Sequence, residues 1–464
     1  MALGERSLWR HREFMKLWTG ETISQLGTQV TLLALPLTAI LILKANAFEV
    51  GLLGTAEFLP FILVGLPAGV WVDRLRRRPI LIAGDIGRTL ALGSIPIAYK
   101  LHALHIVQLY VVAFISGILT VFFDVAYQSY LPSLVGRDQL VEGNSKLEIS
   151  RSGAQLAGPG IAGALIQLLK APVAIAADAI SYLGSAVFVF MIRKSEPPVQ
   201  RHAEGERPRM RTQIGEGLRY VWRHRLLRPI AFCTATSNLF SQIAAAVVLL
   251  YAVRRLGLTA GSIGLIFAVG NAGFLVGAFL SGRIGRLLGV GRAIIAAILL
   301  GDLAAVLLPL ATRSTGPPLL IGWVALIGLG SVVYNVNQVS LRQAITPEGM
   351  QGRMNATMRF MVWGTIPIGS FIGGVLGNTI GLRPTLWVAA IGSQIPFLFP
   401  LLSPVRKLKE IPAPEAPVAG QLAVADDGAV TEPGHLPHVA ATAIAPEGDG
   451  SAGEAQPQTN VKRQ

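Results

Sequence analysis

The sequence predicts an all-α membrane protein: twelve transmembrane helices in two pseudo-symmetric six-helix bundles. Three observations predict it. Apolar residues make up 52% of the 464 positions and charged residues only 14%, outside the range of soluble chains. Apolar windows of about 20 residues, the length a helix needs to cross a bilayer, recur about twelve times. The chain also repeats itself: Asn144, Gly153, Gly158 and Gly163 return as Asn355, Gly364, Gly369 and Gly374 at one spacing of 211 residues (355 − 144), which Gly117 and Gly328 share.

In order, spans are expected near 18–43, 50–72, 79–99, 105–130, 148–168 and 172–192, then 228–253, 260–282, 291–311, 317–341, 356–378 and 383–403. The first is too long for a signal peptide and lacks a small-residue cleavage site, so it stays as a helix. Residues 1–192 form the first bundle and 228–405 the second. The connecting stretch 193–227 opens with Glu196-Pro197-Pro198 and closes on an amphipathic basic run around Tyr220, Val221 and Trp222, a short interfacial helix. From residue 406 a tail follows that turns to Pro, Ala, Gly, Glu and Gln; it cannot bury enough apolar surface to fold and is expected to be disordered.

Arg and Lys crowd alternate connections: Arg6, Arg10, Arg12 and Lys16, then Arg74 to Arg78, then the stretch from Arg193 to Arg228. The other loops carry singles such as Lys44, Lys100, Lys170 and Arg313. Basic loops stay cytoplasmic, which puts both termini and the central linker inside a bacterial plasma membrane. The net charge of +14 is thereby a topology signal; spread among membrane-side loops without a binding motif, it gives no nucleic-acid interface. The single cysteine, Cys233, lies within a span, which excludes disulfides and thiolate clusters, and His102 and His105 lack metal-ligand spacing. No metal or cofactor is expected.

After the second span stands Gly65-x3-Gly69-Val70-Trp71-Val72-Asp73-Arg74-Leu75-Arg76-Arg77-Arg78-Pro79: small residues for close helix contact, an acid at the helix end and an Arg cluster. This run resembles the signature of the major facilitator superfamily, Gly-x3-Asp-Arg-x-Gly-Arg-Arg, with Arg76 in place of the family's Gly. The second half carries Gly277-x3-Ser281-Gly282-Arg283-Ile284-Gly285-Arg286, a copy without the acid. The resemblance implies a conformational latch of Gly69, Asp73, Arg74, Arg77 and Arg78, in which the Asp73 carboxylate meets the positive start of the eleventh helix. Gly153-x4-Gly158-Pro159-Gly160-Ile161-Ala162-Gly163 is similar to the helix-five Gly-Pro motif of the superfamily's antiporters, with Ala162 for a usual Gly. With Gly369 and Gly374 on the eleventh span, Gly158, Pro159 and Gly163 would form a smooth helix-packing gate. Within the superfamily, Leu17-Trp18-x2-Glu21-x2-Ser24-x2-Gly27, Leu59-Pro60 and Ala126-Tyr127-Gln128-Ser129-Tyr130-Leu131-Pro132 resemble the bacterial branch of enterobactin exporters and macrolide or tetracycline efflux pumps.

Polar groups inside spans are costly and mark functional sites. Glu21, Gln25 and Gln29 form a stripe on the first helix, answered on the seventh by Asn238 and Gln242, 213 positions beyond Gln25 and Gln29. Gln128 on the fourth, and Asn335 with Gln338 on the tenth, complete a cavity lining if, as in the superfamily, helices one, four, seven and ten surround the cavity. Glu21, Asp124 and Glu57 are the candidates for proton coupling, with Arg151 and Arg359 as charge partners. Asp85 and Arg88, one turn apart, are expected to satisfy each other, and Asp178 with Ser181 and Tyr182 to form an internal cluster. Asp302, on a helix that is peripheral in the superfamily, is set aside as structural.

The expected activity is secondary active transport rather than catalysis: proton-coupled export of amphiphilic drugs, siderophores or secondary metabolites by alternating access, from a monomer in the lipid bilayer. Uptake, or narrow metabolite transport by the same fold, is the alternative, and a polytopic lipid enzyme a remote one, since the acids are scattered singly. ATP is not the energy source, because no Gly-x4-Gly-Lys-[Ser/Thr] loop is present.

Overall fold

The computed structural model describes residues 8–136, 139–194, 196 and 210–410; within these, the side chains at 66, 70, 73, 210–214 and 348 lie outside the described set. Residues 197–209 of the expected linker and the expected tail from 411 onward therefore lie outside the described residues.

Every regular element among the described residues is helical. The first half holds α1 (Arg12–Leu37), α2 (Ala47–Leu63), α3 (Gly65–Arg74), α4 (Arg77–Lys100), α5 (Ile106–Val135), α6 (Leu140–Leu169) and α7 (Ala171–Phe190). Then α8 (Met210–Arg223) leads into α9 (Leu227–Arg254), α10 (Ala260–Gly270), α11 (Ala272–Leu288), α12 (Val290–Ala304), α13 (Leu307–Leu310), α14 (Gly316–Ile345), α15 (Glu348–Thr379), α16 (Leu382–Gly392) and α17 (Leu398–Leu401). The second, eighth, ninth and twelfth spans are each made of two pieces: α2–α3, α10–α11, α12–α13 and α16–α17. Among the described residues nine helical stretches are long and apolar enough to cross a membrane unaided. The spans outside these nine are α2–α3, α6, which carries charges in its first half, and α16–α17.

Apolar side chains face outward along the spans. Phe279 and Leu168 are about four-fifths exposed, as expected where the surrounding medium is lipid rather than water. Inside, the repeat returns as paired contacts. Gly163 of α6 packs against Gly264 of α10, and Gly374 of α15 packs against Gly51 of α2; the second pair mirrors the first, Gly374 lying 211 positions beyond Gly163 and Gly264 lying 213 beyond Gly51. Likewise Gly158 seats Gln29 of α1 as Gly369 seats Gln242 of α9. Even a turn repeats: Lys170 and Gly381, 211 apart, both hold positive φ, 70° and 93°.

The core has three parts, and their arrangement sets the shape. One apolar cluster joins both halves, from Val30, Val50 and Ile175 to Val247, Ile263 and Leu386. The other two stay within one half each: Phe14, Leu81, Tyr130 and Ile192 in the first; Ile230, Ile294, Met354 and Val405 in the second. The shared cluster lies at the end where Arg254 donates to the carbonyls of Lys44 and Ala45 at 2.9 and 2.7 Å. At the other end, which carries the Arg-rich connections, a side chain on Gly65, Gly69, Gly153, Gly282 or Gly352 would meet no neighbour. The halves are joined at one end and parted at the basic end.

The linker is tied to both halves. Glu196 accepts from the backbone N–H groups of Arg77 and Arg78 at 2.8 and 2.6 Å, closing the N-terminus of α4 with a carboxylate. Glu216 of α8 pairs with Arg353 on α15 at 2.5 Å, and Gly217 lets α8 lie directly on Arg353 and Thr357. The segment Pro404–Lys407 is a short 3-10 helix with Val405 fully buried; beyond it the carbonyls of Leu408 and Lys409 accept from Gly291 and Val290, so residues 406–410, assigned above to the tail, are docked on α12.

Candidate functional site

Three polar regions lie inside the bundle. The first fills the centre of the first half. Asp85 and Arg88 form an ion pair at 2.6 Å as their spacing predicts, and the guanidinium sits between the rings of Phe123 and Tyr182, 4.4 and 4.1 Å from their centroids. Ser181 donates to Asp178 at 3.1 Å, while Tyr182 bonds Thr28 at 2.7 Å rather than Asp178. On α1, Gln25 donates to one oxygen of Glu21 at 2.7 Å; the other oxygen is buried without a partner.

The second region is the large cavity between the halves, about 880 Å³. Gln29, Asn238, Asn335 and Gln338, four of the expected lining residues, border it, and Gln338 donates to Asn335 at 2.9 Å. Gln25, Gln128 and Gln242 do not: Gln25 is turned to Glu21, Gln242 packs on Gly369, and Gln128 is exposed. Phe240, Phe274, Trp323 and Tyr334 give the same wall apolar faces. The charged residues lining it are Glu148 and Asp302, and no Lys, Arg or His joins them.

Asp302 is the functional candidate that sequence reasoning passed over. Helix position alone argued for a structural role, yet the cavity reaches into the second bundle between α9, α12, α14 and α16 and ends beside it. Its backbone carbonyl accepts from Gln394 at 2.7 Å, from the Ala305 N–H at 3.1 Å and from Ser393 at 3.3 Å, and one carboxylate oxygen is buried without a hydrogen-bond partner among the described residues. The signal available in the sequence was its isolation: α12 has no other acid, and its basic residue, Arg292, is ten positions away.

The third region is a pocket of about 160 Å³ between the halves, where Asp124 of α5 faces Arg359 of α15. Phe61 and Trp363 close it with rings 4.8 Å apart, and Arg359 lies over Trp363 at 5.6 Å. Asp124 feels the charges of Arg88, Arg359 and Arg151 without a direct ion pair to any of them among the described residues. Glu57 is half-buried on α2 and borders neither cavity. Of the expected latch, the side chain of Asp73 lies outside the described residues, and Gly69 faces open space. Arg78 instead binds the carbonyls of Val189 and Phe190. Gly158, Pro159, Gly163, Gly369 and Gly374 all lie on the α6 and α15 faces described above.

Two six-span halves related by an internal repeat, with a cavity of mixed polar and aromatic lining between them, have the architecture of a secondary transporter. The Major Facilitator Superfamily profile matches residues 17–365 and 230–431, and the chain belongs to that family. It is 26% identical over 391 residues to the MFS-type transporter YfiS of Bacillus subtilis (strain 168), covering 82% of this chain and 90% of that one. It is 25% identical over 373 residues to the multidrug efflux pump Tap of Mycolicibacterium fortuitum, covering 77% and 88%. Among solved structures, a bacterial homologue of the iron transporter ferroportin in an inward-facing state superposes with a TM-score of 0.69 at 16% identity, covering 84% of this chain and 98% of that one.

Proposed function

We propose that the chain exports amphiphilic small molecules from a bacterial cell in exchange for protons, by alternating access. The observation that carries the reading is the three-part core: one apolar cluster welds the halves at one end, while separate clusters let them part at the basic end. The loops at the parted end hold the Arg clusters, and such loops stay cytoplasmic. The cavity therefore faces the cytoplasm, both termini and the linker lie on that side, and the units 1–192 and 228–405 rock as a monomer about the shared seam.

A wall of amide, hydroxyl and aromatic groups enclosing about 880 Å³ suits bulky amphiphiles that no rigid hydrogen-bond code selects. The similarity to Tap, a multidrug efflux pump, supports that substrate class. Coupling needs a carboxylate whose protonated and charged forms favour different conformations. Asp124 is the first choice, because it sits with Arg359 in a pocket whose two walls belong to different halves; rocking changes that separation directly. Glu21, with one oxygen unpartnered, is the second.

A growth-inhibition panel of antibiotics, dyes and siderophores in an efflux-deficient host tests this. Wild type should raise tolerance to some compounds, and Asp124→Asn should abolish that gain. A panel in which no compound separates wild type from empty vector would sink the export reading; increased sensitivity would turn it into uptake.

A further inference from the structure

The internal repeat allows the two bundle interiors to be compared position by position. In the first half the interior is filled by Arg88, held between Phe123 and Tyr182 and paired with Asp85. At the 211 spacing of α5 with α14 and of α7 with α16, Phe123 corresponds to Tyr334 and Tyr182 to Ser393. Between α4 and α12 the spacing is 213, as Pro96 and Pro309 record, so Arg88 corresponds to Gly301. One packing contact agrees with this register: Leu119 lies against Gly84 in the first half, and its counterpart Gly330 lies against Ala297, the counterpart of Gly84 (84 + 213), in the second.

The second bundle thus has the frame of the Arg88 cage without its occupant. Glycine replaces the arginine, serine replaces one of the two rings, and a side chain on Gly301 would meet only Ile327, at 4.0 Å. Gly301, Asp302, Tyr334 and Ser393 all border the large cavity, which enters the bundle at this place. Ile298 stands at the position of Asp85 (85 + 213), and the negative charge comes instead from Asp302, next to Gly301, 5% exposed and with one oxygen unpartnered among the described residues. Tyr334 presents a ring as Phe123 does, its hydroxyl turned to Thr234 at 2.6 Å. A buried carboxylate without a counter-ion is costly, and a cation entering from the cavity would relieve it. A carboxylate beside the face of an aromatic ring suits an organic cation, which the ring of Tyr334 and the charge of Asp302 would both attract.

We propose that the hollow bounded by Gly301, Asp302, Tyr334 and Ser393 is a binding subsite for the guanidinium, amine or aromatic cation of a transported molecule, which takes the place Arg88 takes in the other half. The inference rests on the transport reading and narrows its substrates to cationic amphiphiles. No lining cation opposes this, since the other charged group on the cavity wall is Glu148.

Ethidium binding to the purified full-length protein in detergent, followed by fluorescence anisotropy, tests the subsite. Asp302→Asn should weaken ethidium binding about ten- to a hundredfold, the loss expected for a charge-assisted contact, and Asp302→Glu should restore part of it. Gly301→Arg should abolish binding by filling the hollow with a tethered guanidinium, while eluting as a folded protein, because the first half shows that an arginine fits this frame. Wild type that does not bind ethidium, or affinities within about twofold of wild type in both Asp302→Asn and Gly301→Arg, would overturn the proposal. Since the readout is equilibrium binding, it separates the two readings: binding lost in these variants with no export by wild type would remove the export reading alone, and drug export with unaltered ethidium affinity in Asp302→Asn would remove the subsite alone.

Discussion

Arg88 is buried among groups that leave it no access to water, so its stability depends on Asp85 and the two rings. Removing one member of a buried pair leaves the other charge uncompensated, at a cost of about 3–5 kcal/mol. Arg88→Met should therefore lower the melting temperature sharply in detergent, and Arg88→Met with Asp85→Asn should recover much of the loss. A second residue-level prediction concerns Lys170, whose φ of 70° with ψ of 152° is a conformation that suits glycine; its counterpart Gly381 shows which residue the turn prefers. Lys170→Gly should stabilise by about 1 kcal/mol, read as a raised melting temperature; an unchanged or lower value would mean the turn is not strained. The Asp85–Arg88 pair was legible because both partners lie on one helix, where spacing fixes adjacency. Asp302 was not, because what makes it notable comes from residues far along the chain: Tyr334 on α14 and Ser393 at the end of α16 border the same cavity.

Whole elements were easier to read than their ends. Span count follows from apolar length, which the bilayer enforces, and the amphipathic run around Tyr220, Val221 and Trp222 lies in the helix α8. The breaks at Val64 and Asn271 were not foreseen: uninterrupted hydropathy hides them, and both residues keep right-handed helical backbone angles. Nor was the role of Glu196 visible, since its partners, the first two N–H groups of α4, are 119 and 118 positions away. A carboxylate bonding two helix N-terminal amides beside an Arg cluster contributes about 1–2 kcal/mol. Glu196→Ala should lower the melting temperature accordingly and expose the connection after α7 to protease, whereas Glu196→Asp should do so less. On the other side, Glu216 and Arg353 hold α8 against the start of α15, the surface that the latch of the second-to-third-span loop would need. We expect charge reversal at both, Glu216→Arg with Arg353→Glu, to restore transport that either single change impairs, measured as drug tolerance in the efflux-deficient host; failure of the double variant would mean the pair is incidental.

At the scale of the molecule, the seam between halves rests on backbone touching backbone. A Cβ on Gly51 would lie 2.5 Å from the Cα of Gly374, and one on Gly163 would lie 2.7 Å from that of Gly264; no side chain larger than hydrogen fits at these crossings. Such contacts need no partner chemistry, only closeness, which suits small-residue faces to the separation and re-forming that the proposed alternating access requires. The repeat made this legible from sequence for Gly163 and Gly374, though their partners Gly51 and Gly264 carried no signal apart from being glycine. If the welded end must open for release, a wedge there should populate the opposite conformation rather than unfold the protein. Gly374→Leu should therefore cut transport at least about tenfold and leave the folded yield intact. In the same variant, with Cys233→Ser to remove the native thiol, a cysteine placed at Ala47 should react faster with a membrane-impermeant maleimide than it does with Gly374 present. Ala47 is the residue to choose because it is 4% exposed, its carbonyl lies beside Gly374 and its side chain lies beside Gly377, so it is covered only while the seam is shut. Labelling that stays slow while transport is lost would mean that the seam does not open there, and the rocking axis would have to be placed elsewhere.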